Sequence, residues 1–202
     1  PGYKQKIHSQ YQSFTRLGYE SYLYIVKKHG ISLYYFDGNK EEEKKYLVSI
    51  KRKNGERNVH DELLLIFQWK KELIRRLDQL KPEVVYIRRI VPINPWVLSA
   101  IKYMHKLGCK VIYEYPTFPW ENEMRQAGSK FYYLDKLLFN KLEKNIDCIT
   151  YIGEYYGNND KYCRINNCID SSGFNLHRQN DTKNRLIITG VAHVAYYHGY
   201  DR

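Results

Sequence analysis

The chain has 202 residues, 43% hydrophobic and 27% charged, enough to close one sizeable core and too apolar for a disulfide mini-protein, a collagen-like chain or a mostly disordered tail. Lys and Arg number 33 against 22 Asp and Glu, a formal net charge of +11, so the favoured partner is an anion: phosphate, nucleic acid or an acidic membrane surface. Charge alone does not choose among them.

In chain order, Gly2-Tyr3-Lys4-Gln5-Lys6 reads as a glycine-lysine loop leading into a helix. Ile7, Tyr11, Phe14 and Leu17 supply one apolar face and Gly18 closes it. Glu20 to Val26 and Ile31 to Phe36 read as a hairpin, punctuated by His29-Gly30 and stopped by Asp37-Gly38. Asn39 to Lys45 is a mixed charge run that reads as a solvated turn, with Tyr46 to Ile50 as a third strand of a small antiparallel extension. From Asp61, a plausible N-cap, apolar positions from Leu64 to Leu80 keep helical spacing until Lys81-Pro82.

Three short β-branched runs follow: Val84 to Ile87, Val111 to Tyr113 and Cys148 to Ile152. They alternate with helices, one starting at Pro95 and ending at Gly108, the other running from about Ser129 to Leu142. Strand-helix-strand units of this length predict parallel crossovers and an α/β, Rossmann-like, doubly wound, mostly parallel sheet. A first strand is expected ahead of Gly2, because a helix this close to a glycine loop ordinarily follows one. Residues 175–185 read as a polar linker, and Leu186 to Gly190 as a strand that either opens a second α/β domain or ends the first.

Such a sheet binds its ligand beyond the carboxyl ends of its strands. After the first buried strand stand Arg88 and Arg89, either of which could clamp phosphate or carboxylate, Arg88 being the preferred one; alternatively one of them pairs with a carboxylate at the rim. After the second comes Glu114-Tyr115-Pro116-Thr117-Phe118-Pro119-Trp120-Glu121-Asn122-Glu123. Its prolines stiffen a loop, its aromatics offer stacking faces for a sugar ring, and Glu114, Glu121 and Glu123 could accept hydroxyl hydrogen bonds or act as a base. The alternative is a structural turn whose aromatics finish the core. The 21 tyrosines leave the same pair of readings open: hydroxyl-bearing sugar platforms or buried core residues. Gly2, Lys4 and Lys6, ahead of a helix N-terminus, could hold an anion.

Cys109, Cys148, Cys163 and Cys168 form no C-x-x-C pair, which argues against zinc and a redox dithiol and for a reduced, cytoplasmic protein. No apolar stretch approaches the ~18 residues of a membrane span, and no secretory leader is recognisable. The seven histidines are scattered, with no H-E-x-x-H, no G-x-S-x-G, no G-x-G-x-x-G and no P-loop, so metal hydrolysis, serine hydrolysis, nicotinamide and nucleotide-triphosphatase chemistry have no support.

The order of these motifs, with Asn167-Cys168-Ile169-Asp170, Phe174, Gly190-Val191-Ala192 and His198-Gly199-Tyr200-Asp201-Arg202, resembles bacterial family 4 glycosyltransferases of the GT-B fold over nearly the whole chain. The Glu114 to Pro119 run is similar to the E-[IV]-P-T-[YF]-P signature of enzymes that build capsular and exopolysaccharides. The resemblance implies two Rossmann-like domains across a cleft. The first, residues 1–174, binds a glycan or lipid-diphosphate acceptor, and the second, opening at residues 186–202, binds a nucleotide-sugar donor. Transfer is retaining and needs no metal or cofactor. It places Gly2, Lys4, Lys6, Arg88, Tyr115 and Thr117 on the acceptor side, where the residue types add Trp120, Glu121 and Glu123; Glu114 is the candidate catalytic carboxylate. Gly190, His198 and Arg202 fall on the donor side, His198 where relatives carry a diphosphate-binding Lys. The E-x7-E element of relatives falls beyond Arg202, so the chain by itself is expected not to catalyse transfer.

An acceptor on a lipid diphosphate would draw a basic protein to the anionic inner leaflet, each nearby Lys or Arg contributing about 1 kcal/mol. Two other classes compete. A nucleic-acid binder fits the charge but has no recognisable RNP motif, helix-turn-helix or finger. A non-catalytic sugar-binding half that needs a partner subunit fits the same motifs.

Overall fold

The computed structural model describes residues 2–27, 30–37, 40–47, 59–90, 92–118, 120–121, 125, 132–153 and 160–166. Helix α1 (Gly2–Arg16) leads into β1 (Tyr22–Lys27), β2 (Gly30–Asp37) and β3 (Lys40–Leu47), an antiparallel sheet in that order. Gly2 to Lys6 therefore lie inside the first turns of α1 and not in a loop ahead of it. At its other end Gly18, at φ +90°, takes the left-handed conformation open to glycine. Gly18 N–H donates to Thr15 and Tyr19 N–H to Phe14, the paired bonds of a Schellman cap.

The charge run expected as a turn is strand β3. Its residues stand in register against β2, where Tyr34 Oη donates to Glu43 Oε1 at 2.8 Å and the Lys44 ammonium lies 5.0 Å from the Tyr35 ring centroid. On an edge strand, charged side chains cost little to keep solvated and discourage pairing with another chain, so high charge does not argue against a strand there.

A second sheet is built from β4 (Val84–Arg88), β5 (Lys110–Phe118), β6 (Cys148–Gly153) and β7 (Tyr162–Arg164), all parallel and in the order β4-β5-β6-β7. Helices α2 (Val59–Leu80), α3 (Pro95–Lys106) and α4 (Tyr132–Lys144) accompany it. Asn94 caps α3, its side chain accepting from the N–H groups of Trp96 and Val97 with Pro95 in the first turn, and Gly108 ends it with a second Schellman pair. Both ends are written in residue type alone.

Strand alternation divides this sheet in two. Val111, Tyr113, Tyr115, Ile149 and Tyr151 face a core shared with Val97, Ile101 and Met104 of α3 and Leu138 and Leu142 of α4. A strand order that advances in one direction, with each crossover right-handed, brings successive helices to the same face. The other face carries Tyr86, Arg88, Glu114 and Thr150 and receives α1, whose Phe14 ring lies 6.2 Å from that of Tyr86. The chain is thus an α/β protein with a four-stranded parallel sheet flanked by helices, an arrangement compatible with a Rossmann-like domain.

Two features depart from the expected elements. Strand β5 absorbs the proline-bearing run, and its pairing with β6 shifts register between Tyr115 and Phe118. Pro116, which has no N–H to give a ladder, falls within that irregularity. Strand β7, three residues long, was not anticipated, because Tyr-Cys-Arg is too short to show a period. The linker at 175–185 and the strand at 186–190 lie outside the described residues.

Candidate functional site

Because β4, β5 and β6 run parallel, their cross-strand partners stand one strand spacing apart, about 4.8 Å. Arg88 is in register with Glu114, and Glu114 with Thr150. All three therefore project from one face near the carboxyl ends of adjacent strands, and Tyr86, two residues before Arg88, joins them. The Tyr86 phenol donates to Glu114 Oε2 at 2.8 Å and lies 3.1 Å from Thr150 Oγ1. The Arg88 guanidinium stands 3.0 Å from Glu114 Oε1.

Burial sets the roles within this row. Glu114 is 0% exposed, and a carboxylate taken out of water is tolerated only when charge and hydrogen bonds replace its hydration. Tyr86 and Arg88 supply them. Burial pushes the Tyr86 phenol up to about 12, the Glu114 carboxylate adding to the rise while hydrogen bonds from Thr150 and Gln10 oppose it. Tyr86 therefore stays protonated and donating at any ordinary pH. Arg88 keeps 14% of its side chain in contact with solvent, so within this ion pair it is the partner that still reaches the surface.

One residue further on, the chain does something different. Arg89 turns to the core face and stands 3.3 Å from Asp135 of α4, with 7% and 1% of the two side chains exposed. Asp135 also accepts the Ile93 N–H at 2.6 Å, tying the β4–α3 connection to α4. The Arg89 guanidinium lies over Trp120 and Tyr115, 5.2 and 5.6 Å from their ring centroids. Tyr113 completes the knot, its hydroxyl accepting from the Ile90 N–H at 2.9 Å.

Several expected roles change on this geometry. Tyr115 and Trp120, expected as acceptor-stacking faces, are 1% and 2% exposed, stack on each other and pack against Phe139 inside the core; they present no face to a ligand. Glu114, expected as the catalytic carboxylate, has no surface from which to meet a substrate and acts as an anchor for Arg88 and Tyr86. Both arginines pair with carboxylates, where the competing reading of that segment had one of them do so. Thr117 is exposed beyond the irregular part of β5 and Glu121 is half-buried. Lys6 is half-buried in α1, and Arg88 stands in the row with Glu114. The side chain of Lys4, and Glu123, Gly190, His198 and Arg202, lie outside the described residues.

Tyr86 and Thr150 were missed. Tyr86 was legible in principle, since residues two apart on a strand share a face. Thr150 was not, because its place beside Glu114 depends on the register of two strands that a whole crossover separates.

Among the described residues no group of three or more His, Cys, Asp and Glu is placed to hold a metal ion, and no helix is long and apolar enough to cross a membrane. Fold and site together define a parallel α/β protein with a buried ionic row at its strand ends. No family model, curated protein or solved structure matches the chain.

Proposed function

We propose that this chain is the acceptor-side half of a retaining GT-B glycosyltransferase, which passes a sugar from a nucleotide-sugar donor to a glycan or lipid-linked acceptor in the synthesis of a surface polysaccharide. The observation that carries the reading is the position of Arg88: partly exposed, at 14% of its side chain, and paired with a fully buried Glu114 at the carboxyl edge where parallel α/β sheets bind ligands. It falls in the segment whose motifs resemble that family.

Arg88 offers a planar cation to an anionic or hydroxyl-rich acceptor. Glu114 and Tyr86 are positioning residues that hold the guanidinium's place. Retaining transfer asks for oriented dipoles and cations around a departing diphosphate more than for one strong base, so a buried carboxylate that orients a cation suits it. The donor-side residues proposed for the same reaction are Gly190, His198 and Arg202.

The test is sugar transfer by the polypeptide that carries this chain, with a panel of nucleotide sugars and a lipid-linked acceptor. Arg88→Ala is expected to lower turnover about tenfold or more with the fold retained. Wild-type turnover in that variant removes Arg88 from the site. Binding of acceptor without transfer to it would instead favour a sugar-binding half that works with a partner subunit.

A further inference from the structure

We infer that the outward face of α4 docks on an anionic membrane surface. The inference rests on the helix itself and not on the sugar-transfer reading. The inward side of α4 is spent on the core: Tyr132, Asp135, Leu138 and Leu142 are buried. At 100° per residue, the opposite side is centred on Tyr133, Leu137 and Lys144, flanked by Lys136, Lys141 and Leu134. Tyr133 and Leu137 are 79% and 72% exposed, an i,i+4 pair of large apolar side chains left in water on a helix that already has a full apolar face.

The charges on this side have one sign. Lys136, Lys141 and Lys144 are exposed, whereas the two acids of the helix are engaged elsewhere: Asp135 is buried against Arg89, and Glu143 accepts the Tyr162 hydroxyl at 2.7 Å. Apolar side chains ringed by lysines are the composition of a helix that lies in the plane of a bilayer interface, the apolar part entering the headgroup region and the ammonium groups meeting anionic lipid. Leu17 and Tyr19 at the end of α1 are also exposed, but Glu20 stands beside them, exposed as well. A second copy of the chain is a poorer occupant: three apolar side chains on one helix offer a small part of the about 800 Å² per partner of a stable interface, and three lysines would meet three lysines across a two-fold axis.

Flotation of the full chain tests this, with vesicles of phosphatidylcholine alone and with phosphatidylglycerol added at about one part in four. The expected result is binding to the anionic vesicles only. The double variant Tyr133→Ser/Leu137→Ser lowers partitioning about tenfold, and each of Lys136→Gln, Lys141→Gln and Lys144→Gln about fivefold at low salt. Leu17→Ser/Tyr19→Ser binds as the wild type does. Because these side chains are exposed, every variant is expected to stay folded, and thermal unfolding of each checks it. Equal binding to both vesicles, binding to neither, or full binding by the α4 variants overturns the assignment, as does a dimer that Leu137→Ser dissociates. Transfer to a water-soluble acceptor by the polypeptide that carries this chain, read separately, is unaffected by these substitutions, so failure of docking and failure of the proposed activity are told apart.

Discussion

Arg88 and Arg89 are neighbours at the end of one strand, yet they belong to different chemical regions. Arg89 faces the helices α3 and α4, where Asp135, Tyr115 and Trp120 enclose it. Arg88 faces α1 and the row of Tyr86, Glu114 and Thr150, and it keeps contact with solvent. In the first region the carboxylate and the guanidinium close on each other and lock elements together. In the second the carboxylate is wholly buried and so are Nε and Nη1 of the guanidinium, while 14% of the arginine side chain still meets solvent. Two ion pairs in adjacent positions thus differ in the face they occupy and in how far the arginine is enclosed, 7% exposed for Arg89 against 14% for Arg88, and it is the less enclosed one that the proposed function uses.

Substitutions in the two regions should separate stability from function. Trp120→Ala is expected to have the largest effect, a loss of about 3–5 kcal/mol in urea unfolding, because it empties the centre of an aromatic cluster. A nearly wild-type unfolding midpoint with impaired acceptor binding would return Trp120 to the ligand surface. Asp135→Ala should cost about 3 kcal/mol or more, since it leaves the Arg89 charge buried without its partner and removes the acceptor of the Ile93 N–H. Glu114→Gln keeps the shape of the row but takes away the charge that holds Arg88; about 1–3 kcal/mol of stability and about tenfold in turnover are expected to go together. An unchanged KM for acceptor with lowered kcat would mean that Arg88 serves the transition state and not acceptor binding.

Tyr86→Phe should cost about 1–2 kcal/mol through the lost hydrogen bonds to Glu114 and Thr150. It also has a pH signature. The folded phenol is raised to about 12 from an ordinary 10.0, so the unfolded state gives up its proton first as pH rises. The stability this group contributes is therefore complete below pH 10.0 and lost progressively towards about 12. Alkaline denaturation curves of wild type and Tyr86→Phe should converge across that window; parallel curves would mean that the phenol is not shielded. The smallest effect belongs to Asn94→Ala, about 1 kcal/mol from the lost cap of α3, with no change in activity.

Much of the architecture is legible without coordinates where the signal is local. Gly18 and Gly108 mark helix ends, Pro95 marks a start, and Val84 to Ile87 reads as a strand because its residues are apolar and mostly branched, although β4 proves to be an edge strand with Val84 exposed and not the fully buried one expected. The charged strand β3 escaped, since its identity comes from its partner β2 and not from its own residues. The proline-bearing run escaped for a related reason: prolines argue for a loop, and only the register shift opposite β6 shows how a strand accommodates one. At the site, residue type singled out Arg88 and Glu114, but the direction each side chain takes and the depth at which it lies come from neighbours distant in the chain.

From sequence alone come the composition, the glycine ends of α1 and α3, most of the succession of strands and helices, the excess of positive charge and the motif-bearing segments, because each depends on residues within a turn or two of one another; the start of α2 does not, since Asp61, expected as its cap, lies inside the helix. Only the tertiary structure decided that Tyr115 and Trp120 belong to the core, that Glu114 is an anchor, and that Tyr133 and Leu137 face outward on α4. Strand register and burial are set by contacts between segments separated by a full crossover, and no local pattern encodes which of two chemically similar side chains will be enclosed.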